Sequence, residues 1–262
     1  MMKRLLVLSF LVLALLPNMQ QLFAWGAKGH RIIAQVAYNN LNNKTRKQVD
    51  AVLGKHGMIY LAAWADEIKS DTIYPQSHDW HYQDLDGGLT DSAVVSKLRD
   101  YPVEGGNMFR ALDSLKNELK VHKDNHDALA FYVHLYADRF CPMHVAHLDD
   151  KGGNAVKMKW FGQNTNLHSV WDAKIIDSKG FTYSEYAIYL QDKFGAKKKE
   201  VLKMTAEETL LCTYHLTDNI YRYHTTWNGN AYHYSYYWIG PMEWQMYIGA
   251  IKLAQNLNEI YK

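Results

Sequence analysis

A chain that carries His-x-x-x-Asp twice, with another histidine close behind the first copy, is constrained more by those groups than by its composition. The first copy is His134 and Asp138 within FYVHLYADRFCPMHVAHLDD (131–150), a stretch that also contains His144. The second is His168 and Asp172 within NLHSVWD (166–172). Residues four apart on an α-helix project from one face, so each copy presents an imidazole and a carboxylate together. That donor pair suits a divalent metal, zinc above all. One copy alone reads more readily as a solvated polar face or a hydrogen-bonded core histidine than as a metal site. Two copies and His144 justify a search for further ligands along the chain.

The apolar periodicity is that of an all-α protein, mainly helical with one short hairpin. Apolar residues at 32, 33, 36, 37 and 41 predict a helix over 31–41. Helices are likewise expected over 45–53, 59–68, 107–121, 126–138, 183–193, 206–223 and 244–260. The KGGN at 151–154 reads as a turn, and 155–161 alternates enough for a short strand or hairpin. The aromatic, glycine-containing stretch WNGNAYHYSYYWIG (227–240) reads as a loop. Strand signals are too few for a large sheet.

Residues 1–24 read as a secretory signal: Lys3 and Arg4 precede the apolar run LLVLSFLVLALL (5–16), Pro17 breaks it, and Ala24 offers a cleavage site. A secreted or periplasmic monomer is expected, free of stable membrane association, with 25–262 as a single domain. Cleavage there would give Trp25 a free α-amine near His30. Such an amine, with an ordinary pKa of about 7.7–8, can bind metal. Losing Lys3 and Arg4 leaves 27 basic residues against 27 acidic ones, so no large cationic funnel for nucleic acid is expected. A polyanionic substrate must then be held by local charge, including that of bound metal. The two cysteines, Cys141 and Cys212, allow one disulfide but no disulfide scaffold.

Two more candidate ligands lie upstream, Asp66 in AAWAD (62–66) and His81 in WHYQDLD (80–86). With Trp25, His30, His134, Asp138, His144, His168 and Asp172 they make nine groups, enough for about three zinc ions at three protein ligands each. His56, His122, His126 and His215 lack matching spacing and read as surface or structural.

The order W…GH…WAD…HY…VHxxxD…PxH…GGN…NLHSxWD, from Trp25 to Asp172, resembles the zinc-dependent single-strand-specific nucleases of fungi and plants, the class I nucleases that share a fold with bacterial zinc phospholipase C. The resemblance implies a trinuclear zinc site. Asp66, His81, His134 and Asp138 would hold one ion. The Trp25 amine and carbonyl, His30 and a bridging Asp138 would hold the second, and His144, His168 and Asp172 the third. It also implies that Asp66 orients the attacking water, that Lys69 contacts the phosphate, and that Tyr82 stacks a base whose edge Asp84 and Asn154 bind. Stacking needs an exposed base face, which a duplex hides. The implied function is an endonuclease of single-stranded DNA and RNA that leaves 5′-phosphates, with possible 3′-nucleotidase activity. Two other readings stay open, a zinc phospholipase C and a non-catalytic zinc-binding protein. No membrane-binding amphipathic stretch favours the first, and the second has no need of Asp66.

Overall fold

The computed structural model describes residues 25–69, 71–101 and 105–262; the expected signal over 1–24 lies outside them. The principal elements are α1 (Ala27–Asn39), α2 (Asn43–Leu53), α3 (Asp91–Asp100), α4 (Met108–Val121), α5 (His126–Asp138), a hairpin of β1 (Lys157–Trp160) and β2 (Gln163–Asn166), α6 (Tyr183–Phe194), α7 (Lys198–Lys203), α8 (Ala206–His224) and α9 (Ala231–Ile260). The mainly helical architecture is as the periodicity predicts. The hairpin pairs Lys157 with Asn166 and Trp160 with Gln163. Its two-residue turn, Phe161 and Gly162, has positive φ at both positions, the geometry that follows the strands' own twist.

The first HxxxD sits on the helix at the centre. Asn125 caps α5 by accepting from the Ala128 amide at 3.1 Å, and every residue from Ala128 to Asp138 is buried. A helix apolar on nearly all sides must be surrounded, and α1, α2, α4 and α9 pack around it. Capping boxes start α6 at Thr182–Glu185 and α8 at Thr205–Glu208. The wholly buried Glu243 of α9 meets Lys193 Nζ at 2.6 Å and accepts from Tyr186 Oη at 2.8 Å, fastening α6 to α9.

Two expectations about local structure are corrected. Only the first part of 227–240 is a loop: α9 begins at Ala231 and runs 30 residues, straight through Gly240 and Pro241. Tyr234, Trp238, Met242 and Met246 form one buried stripe at four-residue spacing, and Asn230 caps it by accepting from the His233 amide. Burial of that stripe outweighs the bond that proline forfeits. The helix expected over 59–68 is broken into Gly57–Tyr60, a 3₁₀ turn Leu61–Ala63, and Trp64–Glu67. The tightened turn leaves the Ala62 carbonyl free to accept from His134 Nδ1 at 2.7 Å. The helices α3 and α7 carry too little apolar periodicity to have been expected.

Candidate metal centre

Eight of the nine proposed ligands bring side chains into one buried cluster; Trp25 was proposed through its backbone. His30 Nε2 lies 3.2 Å from Asp138 Oδ1 and 4.0 Å from Asp66 Oδ2. His134 Nε2 is 3.2 Å from Asp138 Oδ2 and 3.7 Å from Asp66 Oδ1. His81 Nδ1 is 3.1 Å from Asp138 Oδ2 and 3.6 Å from Asp66 Oδ1. Across Asp138, 3.9 Å from its Oδ1, begins the group of His144, His168 and Asp172. There His144 Nε2 lies 3.5 Å from Asp172 Oδ1, and His168 Nε2 lies 2.9 Å from Asp172 Oδ2. The second HxxxD rides on a stretch that widens from α (Leu167–Ser169) to π geometry (Val170–Lys174). Such bulges often mark functional sites.

Backbone bonds fix which way the imidazoles point. Nδ1 of His134, His144 and His168 bonds to the carbonyls of Ala62, His81 and Gly152 respectively. Their Nε2 atoms therefore face the cluster and would be the metal-binding nitrogens of the neutral rings, the arrangement that metal-ligating histidines use. Trp25 is wholly buried beside the same region: its indole donates to Ala137 O at 2.9 Å, and the Gly26 amide donates to Asp172 O at 2.8 Å.

The donors fit a cation better than they fit one another. Both ring nitrogens of His30, Oδ2 of Asp66, Nε2 of His81 and His144, Oδ1 of Asp138 and Oδ2 of Asp172 are buried without an aligned hydrogen-bond partner. Leaving so many polar atoms unsatisfied would cost about 1–3 kcal/mol each, so such a concentration needs a common partner. His30, Asp66 and His134 form one group of three donors, His81, His134 and Asp138 a second, and the Cys141 thiol with His144 and Asp172 a third, all of donor types that zinc takes. Burial alone would raise the Asp138 carboxyl, but His134, His144 and His30 hold it well below the usual range. Burial also opposes ionisation of Asp66, and His134 and Lys69 outweigh it. Burial pushes His81 down to about 3 and keeps it neutral, the form that binds metal. Burial would lower His144 too, yet Asp138 and Asp172 raise it to about 9, a charge that an arriving cation would displace.

The cluster opens onto a cavity of about 410 Å³ whose lining includes His81, His144 and His168 together with Lys69, Tyr82, Asp84 and Asn154. Those last four are the expected phosphate and base contacts. Lys69 Nζ lies 2.7 Å from Asp66 Oδ1. Asp84 Oδ1 and Asn154 Oδ1 are buried acceptors without partners. Burial pushes the Asp84 carboxyl up to about 7, against the pull of His144. This wall is built on close backbone approaches. Gly106, at φ +100°, leaves room for Tyr82, whose carbonyl a Cβ would meet at 2.2 Å. Gly152, at φ +64°, packs against Met143 O, 2.7 Å from where its Cβ would lie.

Sequence reasoning missed Cys141. Weighed only as half of a disulfide, it is a free, buried thiol whose Sγ donates to Asp172 Oδ1 at 3.2 Å; Cys212 is free as well. The Cys-x-x-His spacing of Cys141 and His144 was the available signal. His56, His122, His126 and His215 stand apart from the cluster, as expected.

A family model described as S1/P1 Nuclease matches residues 25–262. The chain is 30% identical to Endonuclease 4 of Arabidopsis thaliana over 185 residues, covering 66% of this chain and 62% of that protein. It is 31% identical to Endonuclease 3 of Arabidopsis thaliana, covering 69% and 63%. To Nuclease S1 of Aspergillus oryzae it is 29% identical, covering 70% and 64%. The match thus spans just under two thirds of each of these relatives' own lengths.

Proposed function

Because the chain belongs to the S1/P1 nuclease family, we propose that it is an exported, zinc-dependent endonuclease that hydrolyses single-stranded DNA and RNA to 5′-phosphate products, with 3′-nucleotidase activity at the same site. One observation supports this above the others. Buried, unpartnered nitrogen and oxygen donors open onto a cavity whose wall also offers an aromatic ring and two unpaired acceptors. Metal storage needs the donors alone. Phospholipid cleavage has no use for the ring and acceptors.

Three zinc positions account for the donors. Asp66, His81, His134 and Asp138 would hold one ion. The Trp25 amine and carbonyl, His30 and Asp138 would hold another, and His144, His168 and Asp172 the third. Bound there, zinc supplies concentrated positive charge for phosphoryl oxygens and makes water more acidic near neutral pH.

The chain's own groups do the rest. Asp66 accepts a proton of the attacking water and aims its lone pair at phosphorus. Lys69, beside Asp66, adds a mobile cation for a phosphate oxygen. Tyr82 gives a base a face to stack on, at about 1–3 kcal/mol per base. Asp84 and Asn154 accept from N–H groups on the base edge. Base faces are covered in a duplex, which gives the single-strand preference. We assign residues 25–262 to one nuclease domain, acting as a monomer after export and removal of 1–24. Among the described residues, no helix is long and apolar enough to cross a membrane.

The deciding experiment follows zinc-loaded protein, with a verified free Trp25 amine, on one labelled oligonucleotide presented single-stranded and in duplex. Chelator-sensitive cleavage favouring the single strand, with 5′-phosphate ends, is expected. Asp66→Asn should keep most of the metal and lose about 10²–10⁴ in rate, the range for a positioned proton acceptor. Cleavage by Asp66→Asn at the wild-type rate would remove its role. Zinc-replete protein that cleaves neither form would overturn the nuclease reading.

A further inference from the structure

We propose that the Cys141 thiol is a positioning residue of the third metal centre: it holds Oδ1 of Asp172 so that Oδ2 is left to take the metal. The inference rests on the metal-centre reading above and concerns a residue to which that reading gives no role.

Two independent observations carry it. The first is the direct contact, Cys141 Sγ to Asp172 Oδ1 at 3.2 Å, between two buried groups. The second is what surrounds it. Asp172 Oδ2 is buried and lacks an aligned hydrogen-bond partner, although His168 Nε2 stands only 2.9 Å away. His144 Nε2 is likewise buried and unpartnered, 3.5 Å from the same carboxylate. Asp172 Oδ1 therefore takes the thiol, with His144 Nε2 3.5 Å from that same oxygen, and Oδ2 is left facing His168 Nε2. Carboxylate ligands are commonly held this way, by a hydrogen bond from outside the ligand set.

A buried cysteine is more often a small apolar filler. A filler would have no reason to point its sulfur at a carboxylate, and replacing it by a methyl group would orphan Asp172 Oδ1. The position of Cys141 in the chain adds to the case. Its amide donates to Asp138 O at 2.8 Å, and its carbonyl accepts from the His144 amide at 3.0 Å. The residue thus sits on the turn that joins the bridging carboxylate of the first two centres to a ligand of the third. As a direct ligand it would join His144, His168 and Asp172 in a closed, four-donor site, the pattern of structural rather than catalytic zinc. A positioning role keeps the third centre open to substrate.

The test measures metal, not activity. In a Cys212→Ser background, zinc is titrated into metal-free protein against a chromophoric chelator, for Cys141, Cys141→Ala and Cys141→Ser. The alanine variant is expected to bind the third zinc about 10–100-fold more weakly with the other two unchanged, the usual cost of losing such a support. The serine variant, which keeps a donor, should restore most of that affinity. Equal third-site affinity in the parent and alanine proteins would overturn the inference. Infrared spectroscopy of the parent protein reads the same point without relying on the variants to fold. The Cys141 S–H stretch should persist at a lowered frequency after zinc is added. Its disappearance on loading would mean direct thiolate ligation and would overturn the positioning role. A parent protein that takes up no third zinc would refute the metal-centre reading, and this inference with it.

Discussion

The two walls of the cavity are made differently. The donor wall is anchored on α5, a helix with no exposed residue from Ala128 onward, and three of its histidines are oriented by backbone carbonyls. The rest of the lining, the second wall, hangs on turns. Asp84 is tied to Gly105 O and Leu85 to Ala146 O through their amides, while Gly106 and Gly152 hold positive φ so that backbone can approach backbone. One wall draws its stability from the core and keeps its donors in fixed positions. The other depends on a few glycines and on side chains that reach in from loops. On the function proposed, chemistry belongs to the first wall and choice of substrate to the second, so the two should respond separately to mutation.

The largest effect expected on the donor wall is that of Asp138→Asn. Asp138 stands within 4 Å of His30, His81, His134 and His144, and the change removes its charge at nearly constant volume. Uptake of the first two zincs should fail, and turnover should drop by at least about 10³, given that one electrostatic partner alone is worth ~10²–10³. Affinity for an uncharged nucleoside, measured by equilibrium dialysis, should fall far less. If nucleoside binding collapses in step with metal content, the walls are not separate.

The donor wall was also the part legible in the sequence. His134–Asp138 and His168–Asp172 announce themselves because helical geometry converts spacing into proximity, and the remaining ligands fall in a recognisable order around them. Cys141 was not legible, because cysteine pairing in a chain expected to be exported is a stronger prior than a thiol hydrogen bond. Among the helices, α9 was cut short because Gly240 and Pro241 punctuate the local pattern. Only the buried Tyr234–Trp238–Met242–Met246 stripe shows that tertiary packing overrides them. The break at Leu61–Ala63 was hidden for a related reason: its cause is a histidine 72 residues away in sequence. Tyr82, Asp84 and Asn154 were read from resemblance alone, since nothing in the sequence reveals that turns at 105–106 and 151–154 bring them to one cavity.

A smaller and opposite effect is expected from Tyr82→Ala. Loss of a stacking face should raise KM for a single-stranded oligonucleotide about tenfold, within the range of a single base–aromatic contact. Zinc stoichiometry and the melting temperature of the loaded protein should stay unchanged. A loss of zinc in this variant would show that the turn carrying Tyr82 also holds its neighbour His81 in place, and the division between walls would then be drawn one residue too early. An unchanged KM would place the base elsewhere in the cavity.

The smallest effect expected is a pH dependence that belongs to Asp84. Burial pushes this carboxyl up to about 7, with His144 pulling the other way. Zinc bound at His144 adds positive charge and should bring the transition below 7. The charged form accepts from base N–H groups, whereas the protonated form offers one competing donor. Nucleotide affinity should therefore rise a few-fold as pH increases through that transition and level off above it. At fixed zinc saturation, checked by chelator competition at each pH, Asp84→Asn should flatten the profile, because the amide does not titrate. The comparison is informative because the donor wall has a pH dependence of the same sign: imidazoles protonate and release metal as pH falls. A profile that survives in Asp84→Asn at constant zinc content would assign the titration to the donor wall, and the acceptors at Asp84 and Asn154 would lose their part in recognising the base.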